Sequence, residues 1–152
     1  MASPLTLIMP VIPGKTFLEI AATLGKYGPQ LDAALRGIGT VHYARTLLLD
    51  SSVPNLQPDL TKPSTTYLLA IITEFDGSFE DYIQDFVAKV GEVFDALLQF
   101  VVGGAAITPV ADHVQEFEDF LAKNNASQHM PNVSLFQAYT ATVQKIIAAV
   151  GP

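Results

Sequence analysis

Residues 65–75, Thr-Thr-Tyr-Leu-Leu-Ala-Ile-Ile-Thr-Glu-Phe, form an almost continuous apolar run. A strand with one solvated face alternates apolar and polar residues, whereas a strand buried on both faces does not. Asp76-Gly77 follows the run and is typical of a turn. We therefore predict that residues 65–75 form a central strand that is buried on both faces.

Strand and helix patterns occupy most of the remaining chain. Thr16 and Glu19, and likewise Ser78 and Asp81, have the spacing of a capping box, which marks the start of a helix. We expect the first strand to be irregular or unpaired on one side at Pro10, which has no N–H to donate. The predicted strands are residues 5–12, 40–50, 65–75 and 134–139, and the predicted helices are a broken helix over 16–37, a long helix from 78 to the Gly103-Gly104 pair, a helix from 109 to 124 and a short helix over 143–150.

The predicted element order is β-α-β-β-α-α-β-α. Without the third helix and the last helix, the order is β-α-β-β-α-β, the ferredoxin-like arrangement. Right-handed crossovers then place both main helices on one face of a four-stranded antiparallel sheet. We predict one α+β domain over residues 1–152, with an additional helix after the second main helix and a short C-terminal helix. The other sheet face is too apolar to meet water, so another sheet, the extra helices or a ligand must cover it.

The order, the length and the apolar open face together resemble the dimeric α+β barrel superfamily. Residues 41–45, Val-His-Tyr-Ala-Arg, and 74–82, Glu-Phe-Asp-Gly-Ser-Phe-Glu-Asp-Tyr, resemble uncharacterised bacterial members. The resemblance implies a homodimer or a higher homo-oligomer. The superfamily includes cofactor-free monooxygenases, haem-degrading enzymes and dye-decolorising peroxidases. The peroxidases carry a Gly-x-x-Asp-Gly motif, and residues 73–77 here lack its first glycine.

Composition limits the range of partners. Charged residues make up only 15% of the chain and hydrophobic residues 49%, which favours a surface that is partly covered by a second subunit. The formal net charge of −7 disfavours nucleic acid and anionic membrane surfaces as partners. The chain has no cysteine, which excludes disulfides, thiolate metal sites and cysteine nucleophiles. The first residues do not have the pattern of a signal peptide, and no segment is long enough to span a bilayer, so we expect a cytoplasmic protein.

His42 and Glu74 are the candidate catalytic residues. If the second and third strands are neighbours, their register could set His42 opposite Glu74. A His–Glu pair beside a cavity acts as a general base. The structural alternative is a histidine that is hydrogen-bonded at the end of the sheet.

Tyr43, Arg45 and Asp76 are the candidate substrate-binding residues. Tyr43 and Arg45 share one face of the second strand, and an arginine fork matches the geometry of a carboxylate. The structural alternatives are a buried ion pair for Arg45 and a turn position for Asp76. We predict no metal site, because the carboxylates that open the second main helix suit the helix dipole and the pair of His113 and Glu116 is a weak signal.

Three functions are compatible with the sequence. The first is a small-molecule site in a cavity between a sheet face and helices or a partner subunit, for a small apolar or aromatic ligand, as in a cofactor-free monooxygenase. The second is a non-catalytic domain for homo-oligomeric assembly or binding. The third is a haem protein related to the peroxidases, with His113 as a nominal ligand. We expect no cofactor for the first two.

Overall fold

The computed structural model describes residues 2–129, 136 and 139–151. Within these residues the fold is built from three β-strands, four α-helices and short 3-10 turns. The strands are β1 (Ser3–Pro10), β2 (Val41–Asp50) and β3 (Tyr67–Phe75). The α-helices are α1 (Phe17–Ile38), α2 (Phe79–Leu98), α3 (Val114–Asn124) and α4 (Val143–Val150). No helix in the described part of the chain is both long enough and apolar enough to cross a membrane.

The apolar run forms the central strand, as predicted. β3 lies between β1 and β2 and is antiparallel to both. Its residues are buried except for Leu68 and Ile72, which are half-buried. Odd-numbered residues of β3 face the helices and even-numbered residues face the other side, because side chains alternate along a strand. We call this second side the open face.

The prediction of a four-stranded ferredoxin-like sheet is wrong. The sheet has three strands, in the order β1-β3-β2. The predicted fourth strand, 134–139, lies mostly outside the described residues, and Phe136 and Tyr139 are exposed and belong to no strand. The outer edge of β1 instead contacts the segment that follows α3, where Leu7 forms an isolated antiparallel bridge with Asn125. The α+β class agrees with the structure.

Asn125 explains how this edge is closed without a strand. Its side-chain Oδ1 accepts a hydrogen bond from the Thr6 N–H at 3.1 Å and from the Ser127 hydroxyl at 2.6 Å. The chain then enters a 3-10 turn, Ala126–His129. Pro10 lies on the same strand. The Val11 N–H donates to the Tyr67 carbonyl next to β3, whereas the Pro10 carbonyl points to the outer side of β1 and accepts the Val102 N–H. The missing N–H of Pro10 therefore costs no hydrogen bond to β3. The predicted unpaired side is not found, because residues 100–102 bond to the outer side of β1 here and Val11 forms an isolated bridge with Val101.

The first helix is continuous, so the predicted break is wrong. α1 runs through Gly25, Gly28 and Pro29 without interruption. Proline removes the hydrogen bond to the carbonyl four residues earlier, which here belongs to Gly25. Gly25 and Pro29 are both exposed, so water can bind that carbonyl. The predicted capping box at the start of α1 is confirmed: Thr16 accepts from the Glu19 N–H at 3.3 Å, and the Glu19 carboxylate accepts from the Thr16 N–H at 2.8 Å.

The third helix starts later than predicted. Residues Val110–Asp112 form a 3-10 turn, and α3 begins only at Val114. The Val110 N–H donates to the Asp95 carboxylate on α2 at 2.8 Å, which fixes the turn against α2.

A row of stacked aromatic rings forms the centre of the core. Phe75 at the end of β3 stacks on Tyr82 with ring centroids 4.1 Å apart. Tyr82, Phe86 and Phe94 follow one another along a single face of α2 at centroid distances of 5.4 and 4.7 Å. Phe94 meets Phe117 of α3 edge-on at 5.5 Å. This row connects the sheet, α2 and α3.

Candidate functional site

A β-bulge at the start of β2 positions the predicted site residues. Val41 pairs with Phe75, but the next paired residues are Tyr43 and Glu74, so His42 is the extra residue of the bulge. The register therefore sets Tyr43, and not His42, opposite Glu74. His42 contacts Asp76 instead. We call His42, Tyr43, Glu74 and Asp76 the polar cluster.

His42 and Asp76 form a pair that is largely shielded from water. His42 Nε2 lies 3.0 Å from Asp76 Oδ1, and their side chains are 17% and 13% exposed. The other carboxylate oxygen of Asp76 accepts the backbone N–H of Val143, at the start of α4, at 2.8 Å. Burial raises the pKa of Asp76, but the hydrogen bonds from Val143 and His42 outweigh it and hold the pKa below its ordinary value. Asp76 is therefore ionised and fixes the orientation of the His42 ring.

Glu74 is the unusual member of the polar cluster. The residue is 8% exposed, and Tyr43 donates a long hydrogen bond of 3.4 Å to Glu74 Oε1. Glu74 Oε2 is buried and has no hydrogen-bond partner in the described structure. Burial raises the pKa of Glu74, and the Tyr43 hydrogen bond and the nearby His42 offset only part of that rise. Burial and the neighbouring Glu74 also raise the pKa of Tyr43.

Arg45 is on the open face but outside the polar cluster. It pairs with Ile72 in the sheet, one step along the open face from the pair of Tyr43 and Glu74. Arg45 is exposed and forms no ion pair with another described residue. Apart from Thr6 of β1, the rest of the open face is apolar and ranges from buried to exposed; it includes Ile8, Leu47, Leu49, Leu68, Ala70 and Ile72.

A separate cavity lies on the other side of the sheet, between the sheet, α1 and α2. We call it the inner cavity; its volume is about 30 Å³. No residue of the polar cluster lines it, and neither does Arg45. The sequence predicted a cavity between sheet and helices lined by the candidate site residues, but the structure puts the cavity and those residues on opposite faces. The polar residues in its wall are Thr46, Thr73 and Tyr82.

The described residues contain no group of three or more histidines and carboxylates that could hold a metal ion. His113 lies just before α3, with its Nδ1 4.0 Å from Glu116 Oε1, and its side chain is 38% exposed. It does not line the inner cavity.

Comparison of the chain with family models, with curated proteins and with solved structures finds no significant match. Thr73 and Tyr82, two polar residues in the wall of the inner cavity, were not predicted as site residues from the sequence. Thr73 could have been found, because it is a polar residue within the apolar run and alternation sets it on the same face as Leu69 and Ile71.

Proposed function

We propose that the polar cluster is a small-molecule site in which Glu74 exchanges a proton with the bound molecule. One observation carries the proposal: Glu74 is buried with one carboxylate oxygen unpartnered and has a raised pKa. A buried carboxylate without its hydrogen bonds destabilises the fold. Such groups concentrate at sites where proton transfer needs them.

The neighbours of Glu74 suit the other roles of an acid–base site. The Tyr43 hydroxyl lies beside Glu74 Oε1 and can donate to an oxygen of the ligand. His42 is held in one orientation by Asp76 and supplies a second group that can carry a proton. Arg45 can bind an anionic group at the exposed margin of the site.

The apolar surface next to the cluster indicates the class of ligand. Ile72 and Leu47 continue the open face away from Glu74, so an apolar or aromatic body can lie along them. We infer a small aromatic or apolar molecule with an acidic C–H or O–H group. Cofactor-free oxygenation of such a molecule would begin with the same proton removal. For a substrate whose acidic C–H belongs to a CH₂ group, the deprotonated carbon then reacts with O₂. One oxygen atom becomes the carbonyl oxygen on that carbon, and the other leaves as water with the two hydrogens of the CH₂ group.

Deprotonation of 5-nitrobenzisoxazole, whose ring opens when a base removes its C–H proton, tests the role of Glu74. We expect the protein to accelerate this reaction and the Glu74→Gln variant to lose about 10²-fold of the acceleration, within the usual range for a general base. The rate should rise with pH through a pKa above the ordinary value of glutamate, because only the ionised carboxylate accepts the proton.

Glu80→Gln is the matched control, because Glu80 is an exposed carboxylate in the first turn of α2. It should react as the unmodified protein does. Equal rates for the protein and Glu74→Gln would refute the proposed role of Glu74.

A second candidate function is homo-oligomeric assembly through the open face. The apolar residues of this face and the unpaired Arg45 favour a second copy of the chain as the covering partner. In a two-fold arrangement, the same patch contacts itself, so Arg45 of each copy can approach Glu74 of the other. Arg45 would then gain a charged partner that it does not have among the described residues of one chain.

Light scattering after size-exclusion chromatography tests this assembly. We expect a dimer at micromolar concentration, and a monomer for Leu47→Lys, which adds a charge in the middle of the open face. Ala111→Lys, at an exposed position remote from the open face, should remain a dimer. A monomeric unmodified protein would contradict assembly without bearing on the acid–base site.

A further inference from the structure

We propose that the inner cavity is a second binding site, for a small phenol or alcohol whose apolar body packs between α1 and the sheet and whose hydroxyl binds Thr73 and Tyr82. The site lies across the sheet from the polar cluster. It differs from that cluster in chemistry, because its wall carries no ionisable group except the Tyr82 phenol.

The cavity wall contains a buried hydroxyl that has no hydrogen-bond partner among the described residues. Thr73 is 2% exposed, and its Oγ1 has no partner in the described structure. Tyr82 is 3% exposed, and its hydroxyl lies beside that of Thr73. Burial raises the pKa of Tyr82 to about 12, and the interaction with the Thr73 hydroxyl offsets part of the rise.

Unpartnered buried hydroxyls destabilise a fold by roughly 1–3 kcal/mol each. A ligand hydroxyl can remove this cost, because it donates one hydrogen bond and accepts another. The rest of the wall is aliphatic and aromatic except for Thr46, so the remainder of the ligand must be mainly apolar; helices α1 and α2 contribute Leu31, Leu35, Ile83, Phe86, Phe94 and Leu97. The wall therefore specifies one polar group on an apolar body.

The cavity is small in this state, and α1 is the element that can enlarge it. A volume of about 30 Å³ suits one or two water molecules and is too small for an aromatic ring. Only Ile20 and Ile38 of α1 are buried, and the residues that α1 contributes to the cavity, Leu31 and Leu35, are half-buried. This part of α1 is therefore less tightly enclosed than the sheet and α2, and we expect an outward shift of α1 to enlarge the cavity. Ala44, an exposed residue of β2, also lines the cavity and lies at its mouth, between β2 and α1.

Calorimetric titration with p-cresol and p-xylene tests the site, because p-xylene has nearly the same shape and carries a methyl group in place of the p-cresol hydroxyl. We expect p-cresol to bind about tenfold more tightly, which corresponds to one net hydrogen bond of about 1.4 kcal/mol. Thr73→Val keeps the volume of the side chain but removes its hydroxyl. It should retain p-xylene binding and lose most of the preference for p-cresol.

Ala44→Trp should block the mouth and abolish binding of both compounds. Ala22→Trp, the same substitution at an exposed position of α1, should bind them as the unmodified protein does. Ala44 is exposed, so this variant should fold even if Thr73→Val does not, which circular dichroism would show. If neither compound binds at millimolar concentration, the cavity holds only water and the proposal is wrong; equal binding by the two tryptophan variants would also overturn it. Deprotonation of 5-nitrobenzisoxazole should be unchanged in Ala44→Trp, so the two sites are tested separately.

Discussion

Replacing Phe117 by alanine is expected to lower the free energy of unfolding by about 3–5 kcal/mol, the usual cost of deleting a fully buried aromatic ring. Phe117 is 0% exposed and is the last ring of the row that begins at Phe75. Its loss leaves a cavity between α3 and α2, because Phe94 packs edge-on against it. Urea denaturation followed by circular dichroism measures the change.

Phe120→Ala on the same helix is the control. Phe120 is half-buried and lies outside the stacked row, so its removal should cost clearly less. Equal losses for the two variants would show that the row of rings has no special role. Loss of Phe117 should also loosen the β1 edge, because Asn125, which binds Thr6, follows directly after α3. Hydrogen exchange at the Thr6 N–H would report this loosening.

Most of the sheet and helix pattern could be predicted from the sequence, because it depends on local periodicity. The run at 65–75 is apolar enough to require a central strand, and the structure places β3 there. The capping box of Thr16 and Glu19 marks the start of α1 within one residue. The predicted bounds of the short C-terminal helix also agree with α4.

The errors came from interactions that local periodicity does not encode. The predicted break in α1 was based on Gly25, Gly28 and Pro29, but an exposed proline opposite an exposed glycine carbonyl is tolerated. The fourth strand was predicted from the short aromatic stretch at 134–139, whereas the edge of β1 contacts Asn125, whose side chain accepts the Thr6 N–H. Its backbone bridge to Leu7 joins residues far apart in the chain, and the sequence gives no signal for it.

The candidate site shows the same limit more sharply. The sequence identified His42, Tyr43, Glu74 and Asp76, and the structure brings all four together at one end of the β2–β3 pair. The sequence could not show which of these residues pair. His42 is the extra residue of the β-bulge, so Tyr43 and not His42 lies opposite Glu74. A one-residue change of register redirects side chains between the faces of a sheet. The assignment of Glu74 to Tyr43, and of His42 to Asp76, therefore required the fold.

Replacing Glu74 by leucine is expected to stabilise the protein at neutral pH by roughly 1–3 kcal/mol, because it removes a buried carboxyl group of which one oxygen has no hydrogen-bond partner among the described residues. The raised pKa makes this gain depend on pH. Below the ordinary glutamate pKa, the carboxyl is protonated in both the folded and the unfolded state and costs little. As pH rises above that value, the unfolded carboxyl ionises first, so the stability of the unmodified protein falls until the folded carboxyl ionises as well.

The difference in unfolding free energy between Glu74→Leu and the unmodified protein should therefore grow from acid to neutral pH and then level off. Guanidinium denaturation at a series of pH values measures it, and taking the difference cancels the titration of all other groups. Glu80→Leu is the control: it removes an exposed carboxylate that favours the start of α2, so it should stabilise at no pH. A destabilised Glu74→Leu variant at neutral pH would mean that Glu74 is a structural residue. A variant that is more stable but inactive towards 5-nitrobenzisoxazole would show that the fold retains this carboxyl for its chemistry.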